Sequence, residues 1–395
     1  MGFRAFSYLL QPTARQAAAF QSLLDAQREL YNAALEERRG VWRWERRRIT
    51  RYEQYRTLTG LREVRPDVLA WGVTVCRGTL TRLDEAFQSF YRRCARGERP
   101  GFPRFRSEGR WDSVQWPDTP GWRFDAATGR LYVKGVGHVK MRVHRTLRGV
   151  PKTCTLRREG RRWRVTVFCA DVPTQSMPPT GRQVGVDRGV TVVAATSDGA
   201  LFDNPQFVAR AAGRLANAQR ELADKRQRAR RPRRAVEKVA LAHRKVRNQR
   251  RDFLHKLSRQ LVNSYDTIVI EDLRIINMTR RPAIRPNDQG GHDPNGAAAK
   301  AALNRSILDA GWGILDRMLA YKAEEAGRQL IRVDPRHTSQ RCAECGTVDG
   351  ANRVGAGFRC RGCGHTDHAD INAARNILRA GLAQREQSHE VEAAA

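Results

Sequence analysis

Val184-Gly185-Val186-Asp187-Arg188-Gly189-Val190-Thr191-Val192-Val193-Ala194-Ala195 is a β-rich, apolar run with one early acidic residue. A carboxylate within a buried strand is costly unless it is paired or metal-bound. Asp187 is therefore either a site residue or, because Gly189 permits a tight turn, a turn residue. Downstream, Tyr265-Asp266-Thr267-Ile268-Val269-Ile270-Glu271-Asp272-Leu273 is a second short apolar strand that delivers two carboxylates at its end. Alternation along a strand sends Glu271 and Asp272 to opposite sides. Leu330-Ile331-Arg332-Val333 reads as a further strand, and His368-Ala369-Asp370-Ile371-Asn372-Ala373-Ala374-Arg375-Asn376-Ile377-Leu378 puts an aspartate at the opening of an Ala-rich helix.

Helical segments lie between these strands. Ala209 to Arg259 form a long helical stretch interrupted at Pro232, a hairpin with eighteen Arg or Lys against Glu221, Asp224, Glu237 and Asp252. Such an imbalance repels itself without a polyanion nearby, which favours phosphate contacts over a plain solvated face. Arg280 to Asn295, rich in Pro, Gly, Asn and Asp, reads as a mobile loop, and a helix runs from about Lys300 to Ala326. This order suits an RNase H-like α/β domain that holds Asp187, Glu271 and Asp370 together. Phosphodiester hydrolysis in that class takes two Mg²⁺ ions about 3.5 to 4 Å apart, one activating water and the other stabilising the leaving oxygen. Carboxylates are the hard oxygen ligands that Mg²⁺ prefers. Asp367, three residues before Asp370, is either a helix cap or a metal contact.

Cys342 and Cys345 form one CxxC pair and Cys360 and Cys363 another, with fourteen residues between them, and Gly346 and Gly364 follow the two pairs. Four thiolates on two knuckle turns suit one tetrahedral Zn²⁺ and leave no open position for water, so this zinc is structural. His365 and His368 read as polar neighbours of a complete ligand set. The segment Asp334 to Gln340, ahead of the first knuckle, is either a lid over the site or a connecting loop.

Over 395 residues, 73 basic against 41 acidic side chains leave a formal charge of +32, which points to nucleic acid as the main partner. Arginine supplies 64 of the 73, a bias that suits bidentate phosphate binding and base stacking or reflects a GC-rich genome. Neither an apolar run of about eighteen residues nor a signal peptide is evident, so no membrane partner is expected. Cys76, Cys94, Cys154 and Cys169 lack paired spacing and read as reduced thiols of a cytoplasmic, prokaryotic protein that joins the nucleoid when bound to DNA. The 40% hydrophobic content suffices for two or three cores.

Towards the amino terminus, a strand-like start from Phe3 to Leu10 leads through Pro12 and Thr13 into a helical pattern. Ala17, Phe20, Leu23, Leu24, Leu30, Tyr31, Ala34 and Leu35 recur there at threes and fours, and the polar face turns Arg-rich from Arg38 to Arg51. A second helix runs from about Trp71 to Arg93 and ends before Gly97 and Pro100. From Val114 to Asp171, alternating runs such as Trp163-Arg164-Val165-Thr166-Val167 read as strands of a small β-barrel-like module. Its Arg-bearing face either lies on a nucleic-acid backbone or is solvated. Pro173 to Pro179 reads as a linker.

Gly185-Val186-Asp187-Arg188-Gly189, Ile270-Glu271-Asp272-Leu273, Thr338-Ser339-Gln340-Arg341-Cys342-Ala343-Glu344-Cys345-Gly346 and Ala369-Asp370-Ile371-Asn372-Ala373-Ala374-Arg375-Asn376 together resemble TnpB, the transposon-encoded OrfB nuclease family related to type V CRISPR effectors. Gln11-Pro12-Thr13, Leu30-Tyr31-Asn32, Phe87-Gln88-Ser89-Phe90 and Pro100-Gly101-Phe102-Pro103-Arg104-Phe105 extend the likeness over most of the chain. The resemblance implies an RNA-guided, Mg²⁺-dependent DNA endonuclease in which base pairing supplies most of the sequence choice and the protein reads a short flanking motif. It implies Asp187, Glu271 and Asp370 as catalytic Mg²⁺ ligands, and Cys342, Cys345, Cys360 and Cys363 as zinc ligands. Its partners would be a guide RNA from its own locus and double- and single-stranded DNA, with no small-molecule substrate.

The implied fold is multidomain α+β. A wedge-like β module with a helical recognition region over about 14–96 would fill 1–178, and a RuvC domain 179–333. A four-cysteine zinc-ribbon module would fill 334–366, the final RuvC segment 367–380, and a disordered tail 381–395. Two other functions compete: a nuclease-inactive RNA-guided DNA-binding regulator, which loss of an acid would favour, and an autonomous transposase, against which the zinc module speaks.

Overall fold

The apolar alternation at the amino terminus forms β1, Gly2–Gln11, and the structure, a computed structural model, describes residues 2–228, 233–288 and 291–394. Two compact units divide the chain, Met1–Pro173 and Thr174–Ala395. In the first, β1 is followed by α1 (Ala14–Glu45), α2 (Arg51–Thr57), α3 (Leu61–Val64), α4 (Pro66–Leu69) and α5 (Val73–Ala95). Then come β2 (Ser113–Trp116), β3 (Trp122–Asp125), β4 (Arg130–Val133), β5 (Gly137–Arg142), β6 (Val150–Glu159) and β7 (Arg162–Val172). The helices are thus an insertion between strands of one antiparallel sheet, ordered β2-β6-β7-β1-β5-β4-β3. The barrel expected from the sequence is an open half-barrel, because β2 and β3 remain edges that do not pair with each other.

Thr13 starts α1 with a capping box, its hydroxyl accepting from Gln16 N–H while the Gln16 side chain accepts from Thr13 N–H. Phe20, Leu23, Leu24, Tyr31 and Leu35 on α1 are buried in one core with Leu80, Leu83 and Phe87 on α5. Each such side chain contributes about 1.5–3 kcal/mol. Gly78 lets α5 lie on the sheet, since a Cβ there would sit 2.1 Å from the Gln115 carbonyl oxygen. Arg38, grouped by sequence with the solvated arginines, is buried instead. Its Nε donates to Gln54 at 2.8 Å and its Nη1 meets Asp84 at 3.1 Å.

The second unit contains β8 (Gln183–Asp187), β9 (Val192–Thr196), β10 (Leu201–Asp203), α6 (Phe207–Gln227), α7 (Arg233–Ser264), β11 (Thr267–Glu271), α8 (Ile275–Met278), α9 (Ala297–Ala310), α10 (Trp312–Ala326) and β12 (Gln329–Val333). It closes with β13 (Arg353–Val354), β14 (Gly357–Arg359), β15 (Thr366–His368) and α11 (Ala369–Ala394). The main sheet runs β10-β9-β8-β11-β12, with β8, β11 and β12 parallel and β9 and β10 antiparallel. β13, β14 and β15 form a separate antiparallel sheet. The middles of β8 and β11 are apolar because both faces are covered, with Val184, Val186, Ile268 and Ile270 fully buried, whereas edge strand β12 exposes Gln329 and Arg332.

α6 and α7 pair through Ala211, Leu215 and Val246, while the expected break at Pro232 lies outside the described residues. The stretch read as a linker belongs to this unit: Gln175 and Met177 donate their amides to the carbonyls of Glu325 and Ala326 at the end of α10. The expected tail from 381 continues α11 instead. The reason is packing, since Gly381 is buried and a Cβ on it would stand 2.4 Å from Val269. Among the described residues, no helix is long and apolar enough to cross a membrane.

α11 also approaches β8 closely. A Cβ on Gly185 would lie 2.0 Å from the Ala374 carbonyl oxygen and 2.6 Å from Leu378 N, so the helix rests on bare backbone. Gly185→Ala should destabilise the second unit by about 3 kcal/mol through overpacking. A denaturant titration showing an unchanged midpoint would contradict that contact.

Candidate functional site

Asp187 and Glu271 are the last residues of two adjacent parallel strands, and the Ile270–Val186 register places them level. Strand carboxyl ends are where an open α/β sheet offers room for a ligand. Asp370 arrives from above, in the first turn of α11, and the flush contact at Gly185 sets how far that helix stands from β8. The structure therefore brings the three acids to one end of the sheet. Gly189 lies in the short connection between β8 and β9, where the sequence reading allowed a tight turn, and crowding demands glycine there, since a Cβ would be 2.7 Å from the Val192 carbonyl oxygen.

Burial, followed by the neighbouring charges of Glu271 and Asp370, pushes the Asp187 carboxyl up to about 7, with Arg353 opposing the rise. Glu271 is also raised by burial, against the lowering pull of the Thr338 hydroxyl and the Arg188 guanidinium. Asp187 is thus the hub, in electrostatic contact with both other acids. Such crowding of like charges in a desolvated place favours a cation. The donor set is three carboxylates, hard ligands suited to Mg²⁺. Asp272 is exposed beside buried Glu271, as alternation requires.

Three residues that the sequence reading missed complete this site. Arg353 Nη2 donates to Asp370 Oδ1 at 2.7 Å, Thr338 Oγ1 donates to Glu271 Oε1 at 2.7 Å, and buried Arg188 Nη2 donates to the Glu271 carbonyl at 2.5 Å. Arg188 had a signal in its position next to Asp187, whereas Arg353 and Thr338 reach the acids only through tertiary structure.

The four cysteines converge as their spacing predicts, their Sγ atoms all within 4.8 Å of one another. Cys342 and Cys363 are 3.8 Å apart and Cys345 and Cys360 3.5 Å, close to the edge of about 3.8 Å expected for a tetrahedron with bonds of about 2.3 Å. The two knuckles are built alike. Gly346 N donates to the Cys342 carbonyl and Gly364 N to that of Cys360, with φ of 79° and 76° at the glycines. No other cluster of three or more metal-ligating side chains of that compactness occurs among the described residues. His368 Nδ1 instead accepts from Asp370 N–H, and Asp367 pairs with Arg375 and accepts from His368 N–H.

Cys360→Ser should lower zinc content and melting temperature together, because structural zinc supplies folding free energy. Unchanged zinc stoichiometry and an unchanged melting curve would remove Cys360 from the ligand set.

A family model described as "Cas12f1-like, TNB domain" matches residues 312–377, one described as "Probable transposase" matches 167–281, and a "Helix-turn-helix domain" model matches 1–48. Residues within that last match form a strand and one long helix. The chain is 35% identical over 306 residues to the "Putative RNA-guided DNA endonuclease InsQ" of Escherichia coli K12, covering 77% of this chain and 73% of InsQ. It is 33% identical over 389 residues to a "Putative RNA-guided DNA endonuclease" of Streptomyces pristinaespiralis, covering 96% and 90%.

The chain belongs to the TnpB family. The expected membership therefore stands. TnpB membership also agrees with the fold: the chain matches the structure described as "Cryo-EM structure of the Cas12f1-sgRNA-target DNA complex" with a TM-score of 0.52 and 13% identity, over 91% of this chain and 82% of the other. At that identity the likeness is one of fold, a mixed α+β multidomain architecture.

Proposed function

We propose that this chain is an RNA-guided DNA endonuclease with an RNase H-like RuvC centre and a zinc-ribbon module, acting next to a short flanking motif. The observation that carries the reading is the gathering of Asp187, Glu271 and Asp370 at one end of the main sheet, where Asp187 feels both other charges. Asp187, Glu271 and Asp370 would hold two Mg²⁺ ions, and Cys342, Cys345, Cys360 and Cys363 one Zn²⁺. Bound Mg²⁺ would supply an activated water and stabilise the leaving oxygen. The protein's own groups orient the acids: Arg188 fixes the strand end at Glu271, Thr338 fixes its carboxylate, and Arg353 steadies Asp370.

The +32 charge supports a guide RNA from the same locus and a DNA target as partners, and a place in the cytoplasm beside the nucleoid. In the first unit, Arg39 lies over the Phe105 ring and Arg48 over Tyr91 at 5.2 and 4.6 Å, flat cations suited to phosphates and bases. Retention of all three acids favours the nuclease over the inactive regulator. The deciding experiment purifies the protein with RNA from its locus, sequences that RNA, and offers matched and mismatched plasmids with and without Mg²⁺. Match- and Mg²⁺-dependent cutting supports the proposal; guided binding without cutting means a regulator, and RNA-independent action on DNA means a transposase.

A further inference from the structure

Three contacts govern how the acids face one another, and two are already accounted for. Strand pairing sets Asp187 against Glu271, and the Gly185–Ala374 contact sets β8 against α11. The third concerns the Glu271 side chain itself, which has rotatable bonds that strand pairing does not control. Thr338 lies in the segment between β12 and the first zinc knuckle and is buried. Its hydroxyl has one proton and two nearby acceptors, Glu271 Oε1 at 2.7 Å and the Pro335 carbonyl at 3.0 Å. The shorter contact, to the carboxylate, is the charge-assisted one.

The backbone that carries that hydroxyl is held in turn by the helix that bears Asp370. Asn376 Nδ2 donates to the Thr338 carbonyl at 3.0 Å and to the Arg341 carbonyl at 2.7 Å. One turn earlier on the same face, Asn372 Nδ2 donates to the Arg341 carbonyl at 2.8 Å and its Oδ1 accepts from Ala343 N–H at 2.8 Å. Asn372 thus uses both ends of its amide, whereas Asn376 uses its nitrogen alone and keeps a buried Oδ1 without a partner, a cost accepted for the two bonds it donates. His337, immediately before Thr338, takes a left-handed φ of 62°, a strained conformation for a residue with a Cβ.

We propose that Thr338 is a positioning residue for the nuclease reaction: its hydroxyl, registered to α11 by Asn372 and Asn376, sets the Glu271 carboxylate relative to Asp370. The segment Asp334 to Gln340 is thereby a fixed brace between the two acids. This inference rests on Glu271 and Asp370 being metal ligands, and its test separates the two ideas.

The test uses the zinc-loaded full chain, with Mn²⁺ binding followed by electron paramagnetic resonance in the absence of nucleic acid, alongside guided cleavage with Mg²⁺. Thr338→Val keeps the volume and removes the hydroxyl; Thr338→Ala guards against a folding defect from the added methyl; Thr338→Ser restores the hydroxyl. The Val and Ala variants should bind Mn²⁺ and cut DNA about tenfold to a hundredfold less well, the worth of one hydrogen bond to a charged group. Ser should stay within about threefold of the parent, with zinc content unchanged and a cooperative melting transition retained throughout. Parent-like Mn²⁺ binding and cutting by Thr338→Val or Thr338→Ala overturns the positioning role, as does a Ser variant as defective as Val. If the parent binds Mn²⁺ no better than Glu271→Gln, the metal-site reading fails and takes this inference with it.

Discussion

Asp187→Ala will reduce cleavage of matched DNA on the order of a thousandfold or more, while guide and target binding stay within about threefold of the parent. The size follows from what is removed. Asp187 ends the strand between β9 and β11, and it is the carboxylate in electrostatic contact with both Glu271 and Asp370. On the proposed reading, losing it would take a ligand from a site whose metals would be worth several kcal/mol to the transition state, and each 1.36 kcal/mol is about a factor of ten. Nucleic-acid affinity, which the proposal assigns to the many arginines, would be left alone. Glu271→Ala and Asp370→Ala should behave in the same way. Full activity in any one of the three, measured as single-turnover plasmid cleavage, strikes that residue from the catalytic set.

The same carboxylate gives the second large effect, with the opposite sign, on stability. In Mg²⁺-free buffer the folded protein holds Asp187 up to about 7, against an ordinary value of 3.8. Below the lower value both folded and unfolded chains are protonated and Asp187 is neutral to folding. Between the two values the unfolded chain ionises first, so stability falls as pH rises; above about 7 the full penalty, on the order of 4 kcal/mol, is present. Asn cannot ionise. Asp187→Asn should therefore be markedly more stable than the parent at about pH 8 without Mg²⁺, with the gap closing as pH drops towards 4. Denaturant titrations across that range decide it, and parallel pH profiles for the two proteins would refute the burial and repulsion described at Asp187.

Much of this site is local in sequence, and that is why it could be read. Asp187 and Glu271 each end an apolar run, the quartet of cysteines announces its own turns, and Asp370 opens an Ala-rich helix. What escaped was what reaches the site through space. Arg353 sits in a segment with no pattern of its own, and Thr338 opens a motif that announces the zinc knuckle and not an acid; both reach the site only when the small sheet and the knuckle segment fold against α11. Their partners did leave a trace: Asn372 and Asn376, four apart on a helix otherwise apolar on that face, mark backbone that needs holding. Arg38 went astray for the opposite reason. It stands at the edge of an Arg-rich face, and nothing local shows that Gln54 and Asp84 will enclose it. Gly185 and Gly381 could have been read as points of close approach, and the second would have shown that the carboxy-terminal segment packs rather than trails.

The order in which these elements leave the ribosome follows from the same connectivity. β1 emerges before its partners yet lies inside the sheet between β5 and β7, which are made more than a hundred residues later. At about 5–20 residues per second it waits for seconds before it can pair. The third acid is later still, on the helix that ends the described chain. A nascent or truncated chain that stops short of Asp370 therefore carries two of the three carboxylates, and the constellation at the end of the main sheet is complete only once α11 has been made.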